Sequence, residues 1–208
     1  MHTVVHMMRH GEVHNPEGVL YGRLPGFRLS DTGRVQARKV ADALADHDIA
    51  AVFASPLQRA QETAAPIAAA HGLTITTNDE LIEADNVFEG LKVSVGGGAL
   101  GKPRHWPKLR DPFTPSWGEP YIQLAHRMLA AATTARDAAR GHEVVCVSHQ
   151  LPVYTLRRFL EGSRLWHDPR RRQCSLASLT SLIYDDDALV DIVYSEPAGA
   201  SDPLVTGA

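Results

Sequence analysis

Four separate segments carry side chains that together could transfer a phosphoryl group. Arg9-His10-Gly11 closes the apolar run that starts at Val4. Arg59 follows Ser55-Pro56-Leu57, Glu83 follows Leu81-Ile82, and His149 follows Val147-Ser148. A neutral imidazole can attack phosphorus, and neighbouring cations lower its pKa and so keep it neutral. Arginine forks match phosphate oxygens two at a time. Arg9, Arg59 and His149 would neutralise the equatorial oxygens as charge redistributes. Glu83 could protonate the leaving oxygen and then activate the water that hydrolyses phosphohistidine. With cations in those places the scheme calls for no metal and no cofactor. Any one of these segments is weak evidence by itself, since a surface Arg59 paired with Glu62 would be worth little. Their combination carries the argument.

Such groups converge only if strands deliver them to one edge of a sheet. Val4 to Met8 reads as a buried strand, with Gly11 permitting a tight turn after it. Asn15 to Arg28 is rich in Gly and Pro and reads as a loop. Ser30 suits an N-cap, with Val35, Val40, Ala43 and Leu44 at helical spacing to about His47. Ile49 to Ser55 is a second strand, and Pro56 opens a helix that Gly72 closes. Leu73 to Thr77 is a weaker third strand. Pro120 opens a long helix to about Arg140, striped by Leu124, Met128, Leu129 and Ala132. Glu143 to Ser148 is apolar enough to be buried on both faces, and Pro152 lies in the first turn of the helix after it. Leu179–Tyr184 and Leu189–Tyr194 are two late strands around Asp185-Asp186-Asp187. This alternation predicts an α/β fold, a three-layer α/β/α sandwich with a mostly parallel central sheet and helices on both faces. Ligands of such sheets sit at the carboxyl ends of the strands.

The chain has 208 residues, 44% apolar and 22% charged, which suits one domain over residues 1–196. Periodicity disappears over 86–118, a stretch too long for an ordinary connection and therefore read as a lid. It holds five basic residues (Lys92, Lys102, Arg104, Lys108, Arg110) against Glu89 and Asp111, a balance that could attract an anion. Residues 197–208 are small and polar and read as a disordered tail. A formal net charge of −3 argues against a nucleic-acid partner. The longest apolar runs fall short of the roughly 18 residues that span a membrane, and no signal peptide is evident. Cys146 and Cys174 lack CxxC spacing and read as buried thiols in a reducing, cytoplasmic setting. No metal site is expected among the eleven histidines.

Arg9-His10-Gly11-Glu12, Leu29-Ser30 with Gly33, Gln36 and Ala37, and Ser55-Pro56-Leu57 with Arg59-Ala60 and Thr63 occur in that order. Leu81 with Glu83, Glu89-Gly90, Gly118-Glu119 and Val147-Ser148-His149 follow. The series resembles the histidine phosphatase superfamily, also called phosphoglycerate mutase-like, over about residues 3 to 195. The resemblance implies His10 as phosphorylated nucleophile, Glu83 as proton donor, and Arg9, Arg59 and His149 as phosphate ligands. Two positions depart from the family pattern. Val13 stands where the family usually has a hydroxyl residue, for which His14 could partly substitute as a donor, and Asn15 matches the family's phosphate-binding Asn only with one residue deleted. Gln150 replaces the usual Gly after the second His.

The expected activity is metal-independent phosphomonoester hydrolysis through phosphohistidine, on a small phosphorylated metabolite. The alternatives are phosphoglycerate mutase-type transfer and a non-catalytic phospho-ligand-binding or regulatory protein. A mutase must keep water off phosphohistidine, which a Gly/Pro-rich lid does poorly. The lid residues Lys102, Arg104, His105, Trp106, Lys108 and Arg110 are candidates to meet the remote part of the substrate, and a homodimer is left open.

Overall fold

The computed structural model describes residues 1–94, 97–98, 111, 115 and 117–199. Most of the 86–118 segment, including all six of those lid candidates, lies outside the described residues, as does the tail from residue 200. Among the described residues, eight strands and four α-helices follow one another in the order β1 (His2–Arg9), α1 (Asp31–Ala43), β2 (Ile49–Ala54), α2 (Gln58–Ala70), β3 (Ile75–Thr77), β4 (Val93–Ser94), β5 (Gly97–Gly98), α3 (Tyr121–Ala138), β6 (Glu143–Ser148), α4 (Gln150–Leu160), β7 (Leu179–Asp185) and β8 (Ala188–Ser195). Six strands form one sheet in the order β3-β2-β6-β1-β7-β8, while β4 and β5 pair only with each other.

The sheet is mixed rather than simply parallel. Strands β3, β2, β6 and β1 run parallel, and β7 lies antiparallel between β1 and β8. The antiparallel turn needs only Asp186 and Asp187, with Asp186 at φ 52°. The central strands β6 and β1 have neighbours on both sides, which is why Val144 through Val147 are fully buried. Alternation divides their side chains between two cores. Val5, Met7, Val144 and Cys146 meet Leu124 and Met128 of α3 and Val153 and Leu156 of α4. Met8, Val145 and Val147 meet Val40 of α1 and Ala60, Ala64 and Ile67 of α2. Helices therefore cover both faces, and the three-layer expectation holds.

Several boundaries shift for local reasons. Helix α1 ends at Ala43 and buries Gly33, Ala37, Val40 and Ala41, leaving Val35 44% exposed. That rotation follows from Gly33, whose Cα lies so close to the first loop that an added Cβ would stand 2.1 Å from the Glu12 carbonyl oxygen. Ser30 caps the helix as expected, accepting from the Gly33 N–H. Helix α2 begins at Gln58 with Leu57 as N-cap, so Pro56 stays in the preceding turn. Pro120 is itself the N-cap of α3. A single turn of 3-10 helix, Asp79–Leu81, precedes Glu83, and another spans Pro169–Arg171. Cys146 and Cys174 are free and buried, and burial pushes the Cys146 thiol up to about 12. Among the described residues no helix is long and apolar enough to cross a membrane.

Candidate functional site

The carboxyl ends of β1 and β6 lie side by side, with the His10 N–H bonded to the Ser148 carbonyl. That contact sets His10 beside His149, with ring centroids 5.1 Å apart. Ser55, just past β2, donates its N–H to the Val147 carbonyl and brings the start of α2 to the same edge. Arg59, in the first turn of α2, places Nε 3.3 Å from Nε2 of His10. The Ser148 hydroxyl donates to the Leu81 carbonyl at 2.7 Å, which anchors the segment leading to Glu83. Arg9, His10, Arg59 and His149 are each less than 5% exposed. Four cationic or protonatable side chains are thus buried at one point of the sheet edge.

Gly11 is needed here for a different reason than a turn conformation. Its φ is not positive, but an added Cβ would stand 2.7 Å from the Gly33 carbonyl oxygen. The nucleophile loop therefore rests directly on the backbone of α1.

His10 is held in one tautomer. A carbonyl only accepts, so its bond of 2.7 Å from Nδ1 to the Gly11 oxygen puts the proton on Nδ1 and the lone pair on Nε2. Burial, then Arg59 and Arg9, hold the His10 pKa well below the imidazole value of 6.5. His149 is lowered in the same way by burial first and Arg59 second. Its Nε2 lies 2.8 Å from the Ser55 hydroxyl, while its Nδ1 is buried without a partner among the described residues. Arg59 donates to the Gly22 carbonyl at 2.6 Å and stacks 4.7 Å over the Tyr21 ring, while Arg9 donates to the Cys174 carbonyl at 2.7 Å. Burial raises the pKa of Glu83 above its usual 4.5, against a bond from the Ala84 N–H that lowers it.

The sequence model of the histidine phosphatase superfamily (branch 1) matches residues 5–194. The chain belongs to that superfamily. It is 68% identical over 196 residues to the uncharacterized protein Rv0525 of Mycobacterium tuberculosis, covering 94% of this chain and 97% of that one. It is 30% identical over 182 residues to a protein of Yersinia pestis named "Probable phosphoglycerate mutase GpmB", covering 83% and 82% of the two chains. A solved mycobacterial glucosyl-3-phosphoglycerate phosphatase in complex with VO3 is similar at 25% identity and a TM-score of 0.70, covering 86% of this chain and 92% of that one. Relatives in this superfamily thus include proteins named for phosphatase and for mutase activity.

Within this histidine phosphatase-superfamily chain, four of the sequence-derived candidates cluster, and Glu83 stands at the rim of an adjoining cavity of about 190 Å³. Asn15 lies elsewhere. Its side-chain amide donates to the Val19 carbonyl and its oxygen accepts from the Val19 N–H, so both ends close the loop. It lines a separate hollow with Pro16 and Phe27. His14 is exposed and Val13 forms an isolated bridge with Leu29. Gln150, by contrast, opens α4 and lines the cavity beside Glu83.

Two residues escape a reading of the chain alone. Tyr21 is 2% exposed, and its hydroxyl is buried beneath Arg59 without a partner among the described residues. It sits in a loop without periodicity, which offers no signal of burial. Arg172 lines the cavity and comes from residues 161–178, where only the run Arg170-Arg171-Arg172 stands out in the sequence. A further group could in principle hold a metal: His6, His47 and Glu143 place one ligand atom each within 4.8 Å of one another. Their far separation in sequence hides them from any spacing rule. Both imidazoles already bond to the same Glu143 oxygen, at 2.7 and 2.8 Å, and Glu143 begins β6 at the opposite end from His149.

Proposed function

We propose that this protein hydrolyses phosphomonoesters through a phosphohistidine formed on Nε2 of His10. The observation that carries the reading is the fixed tautomer: a buried lone pair on Nε2, 3.3 Å from the Arg59 guanidinium. In the first half-reaction Nε2 attacks phosphorus, the N–P bond forms, and the ester P–O bond breaks. The leaving oxygen takes the proton of Glu83, whose raised pKa suits a general acid. In the second half the Glu83 carboxylate takes a proton from water, which attacks phosphorus and returns His10 with inorganic phosphate.

Arg9, Arg59 and His149 supply the charge that stabilises the transferring group. If Ser55 donates to Nε2 of His149, the Nδ1 that lacks a partner carries a proton and becomes a donor to a phosphate oxygen. Three such groups leave no step for a metal to perform. Asn15 is not assigned a role in phosphate binding, because both ends of its amide serve the loop.

The test is turnover of a phosphomonoester panel in the presence of EDTA. The wild type releases phosphate and forms an acid-labile phosphoenzyme, and His10→Ala does neither. Retained turnover in His10→Ala, or activity that needs added metal, overturns the reading. Conversion of 3- to 2-phosphoglycerate with bisphosphate priming would place the protein with its mutase-named relative instead.

A further inference from the structure

The cavity beside Glu83 holds a guanidinium, that of Arg172, with no counter-ion among the described residues. Arg172 donates from Nε to Nε2 of His167 at 2.8 Å and from Nη1 to Oε1 of Gln150 at 3.4 Å. Both partners are neutral. His167 keeps its own proton on Nδ1, which donates to the Leu165 carbonyl at 2.7 Å, so Nε2 must accept. Burial holds the His167 pKa at about 4, and the ring is packed edge-on to Tyr154 at 4.8 Å. An imidazole that stays neutral across the physiological range thus orients a cation without cancelling its charge.

The other charges around the cavity are accounted for. Glu119 is taken by a two-point bond from Arg127, at 2.7 and 2.9 Å, with Arg23 3.3 Å away. Asp85 is exposed to water. Glu83 lies near enough for its charge to favour that of Arg172, while burial raises the pKa of Glu83. Among the described residues no carboxylate lies within ion-pair distance of Arg172. Even partial burial of a cation without a counter-ion is costly, and arginine does not escape by losing its proton. The cost is offset when an anion arrives.

We propose that Arg172, held by His167 and Gln150, forms an anion subsite that receives a second negatively charged group of the substrate, a carboxylate or another phosphate, at the end remote from the ester being hydrolysed. This rests on the phosphomonoesterase reading and narrows it to substrates with two anionic ends. With Nε and one N–H of Nη1 engaged, the edge formed by Nη1 and Nη2 is left to meet two oxygens side by side. Gln150 is one of the two positions where this chain departs from the family pattern, and here its side chain helps hold the guanidinium.

The experiment compares kcat/KM for 3-phosphoglycerate and glycerol 3-phosphate, which differ by a carboxylate against a hydroxymethyl group, and for a bisphosphate against its monophosphate. Wild type favours the doubly anionic member of at least one pair by tenfold or more, and the pair that shows it tells carboxylate from phosphate. In Arg172→Gln that ratio falls toward one, and Arg172→Lys restores part of it. A ratio that Arg172→Gln leaves unmoved, whatever happens to the individual rates, overturns the subsite.

Should the variant fail to fold, the wild type decides alone. 3-Phosphonopropionate should inhibit hydrolysis of p-nitrophenyl phosphate at least tenfold more tightly than propylphosphonate, and equal inhibition overturns the proposal. If the wild type hydrolyses none of these esters, the phosphatase reading fails. If it hydrolyses them without preference, only the subsite fails.

Discussion

His10 and Glu83 are pushed in opposite directions by one cause, removal from water, because burial penalises the cation of one and the anion of the other. His10 attacks only as a free base, so a pKa depressed below 6.5 moves the acid limb of kcat/KM below the ordinary imidazole range. Glu83 donates only while protonated, so a pKa raised above 4.5 moves the alkaline limb above the ordinary carboxylate range. A bell-shaped profile bounded by these two groups is the expected outcome in a pH series of kcat/KM. Glu83→Gln should lower kcat/KM, which reports the phosphorylation half-reaction, by about 10²–10⁴-fold on an alkyl phosphate. The loss should be much smaller on p-nitrophenyl phosphate, whose leaving group departs without a proton. Equal losses on both esters would remove Glu83 from the acid role and leave it a structural one.

At the scale of elements, the site depends on how closely backbone meets backbone, while hydrogen bonds to a carboxylate lock the far end of the sheet. Gly33→Ala would force a Cβ against the Glu12 carbonyl, where 2.1 Å is available and neither partner is a flexible side chain. The strand-end loop must shift, at a cost of about 1–3 kcal/mol. We expect a lower melting temperature together with a loss of turnover, since Gly11 and His10 ride on that loop.

At the opposite end His6 and His47 both bond to Glu143, holding its pKa down to about 2 against desolvation. A carboxyl whose folded pKa lies below its unfolded value stabilises the fold above that unfolded value, near 4.5. The contribution fades as the pH falls toward 2. Glu143→Gln should therefore lower the melting temperature at pH 7, and the gap to wild type should shrink as the pH is taken from about 5 toward 2. An unchanging gap would mean that packing, not charge, accounts for the loss.

At the scale of the whole molecule, what was legible in the sequence is what the chain encodes locally. The apolar runs at Val4–Met8 and Val144–Val147 announce strands, and the polar triplets that follow them sit at strand ends in any parallel α/β sheet. Arg9, His10 and His149 are therefore placed by the order of residues alone. Arg172 is not. Its position depends on His167 and Gln150, brought together by the packing of residues 161–178 against α4, and no periodicity reports such a contact. Asn15 shows the converse, since its resemblance to the family's Asn made it a candidate while its amide serves the loop. Gly11 was legible as a glycine position but for the wrong reason, because the constraint comes from Gly33 across space.

The same global view sets the cost of the site. Arg9, His10, Arg59 and His149 are buried together, and burial lowers the pKa of Arg59 itself, so the unliganded protein concentrates positive charge at the edge of both cores. A ligand that binds only the folded state adds stability as RT ln(1 + [L]/Kd), about 2.7 kcal/mol at a hundred times Kd. Inorganic phosphate should therefore raise the melting temperature progressively with concentration. Arg59→Met keeps most of the volume over Tyr21 and removes the charge. Its unliganded melting temperature should stay close to that of the wild type or exceed it, while the rise with phosphate is lost. A phosphate response that survives in Arg59→Met would show that the anion binds elsewhere, and would separate the buried cluster from phosphate recognition.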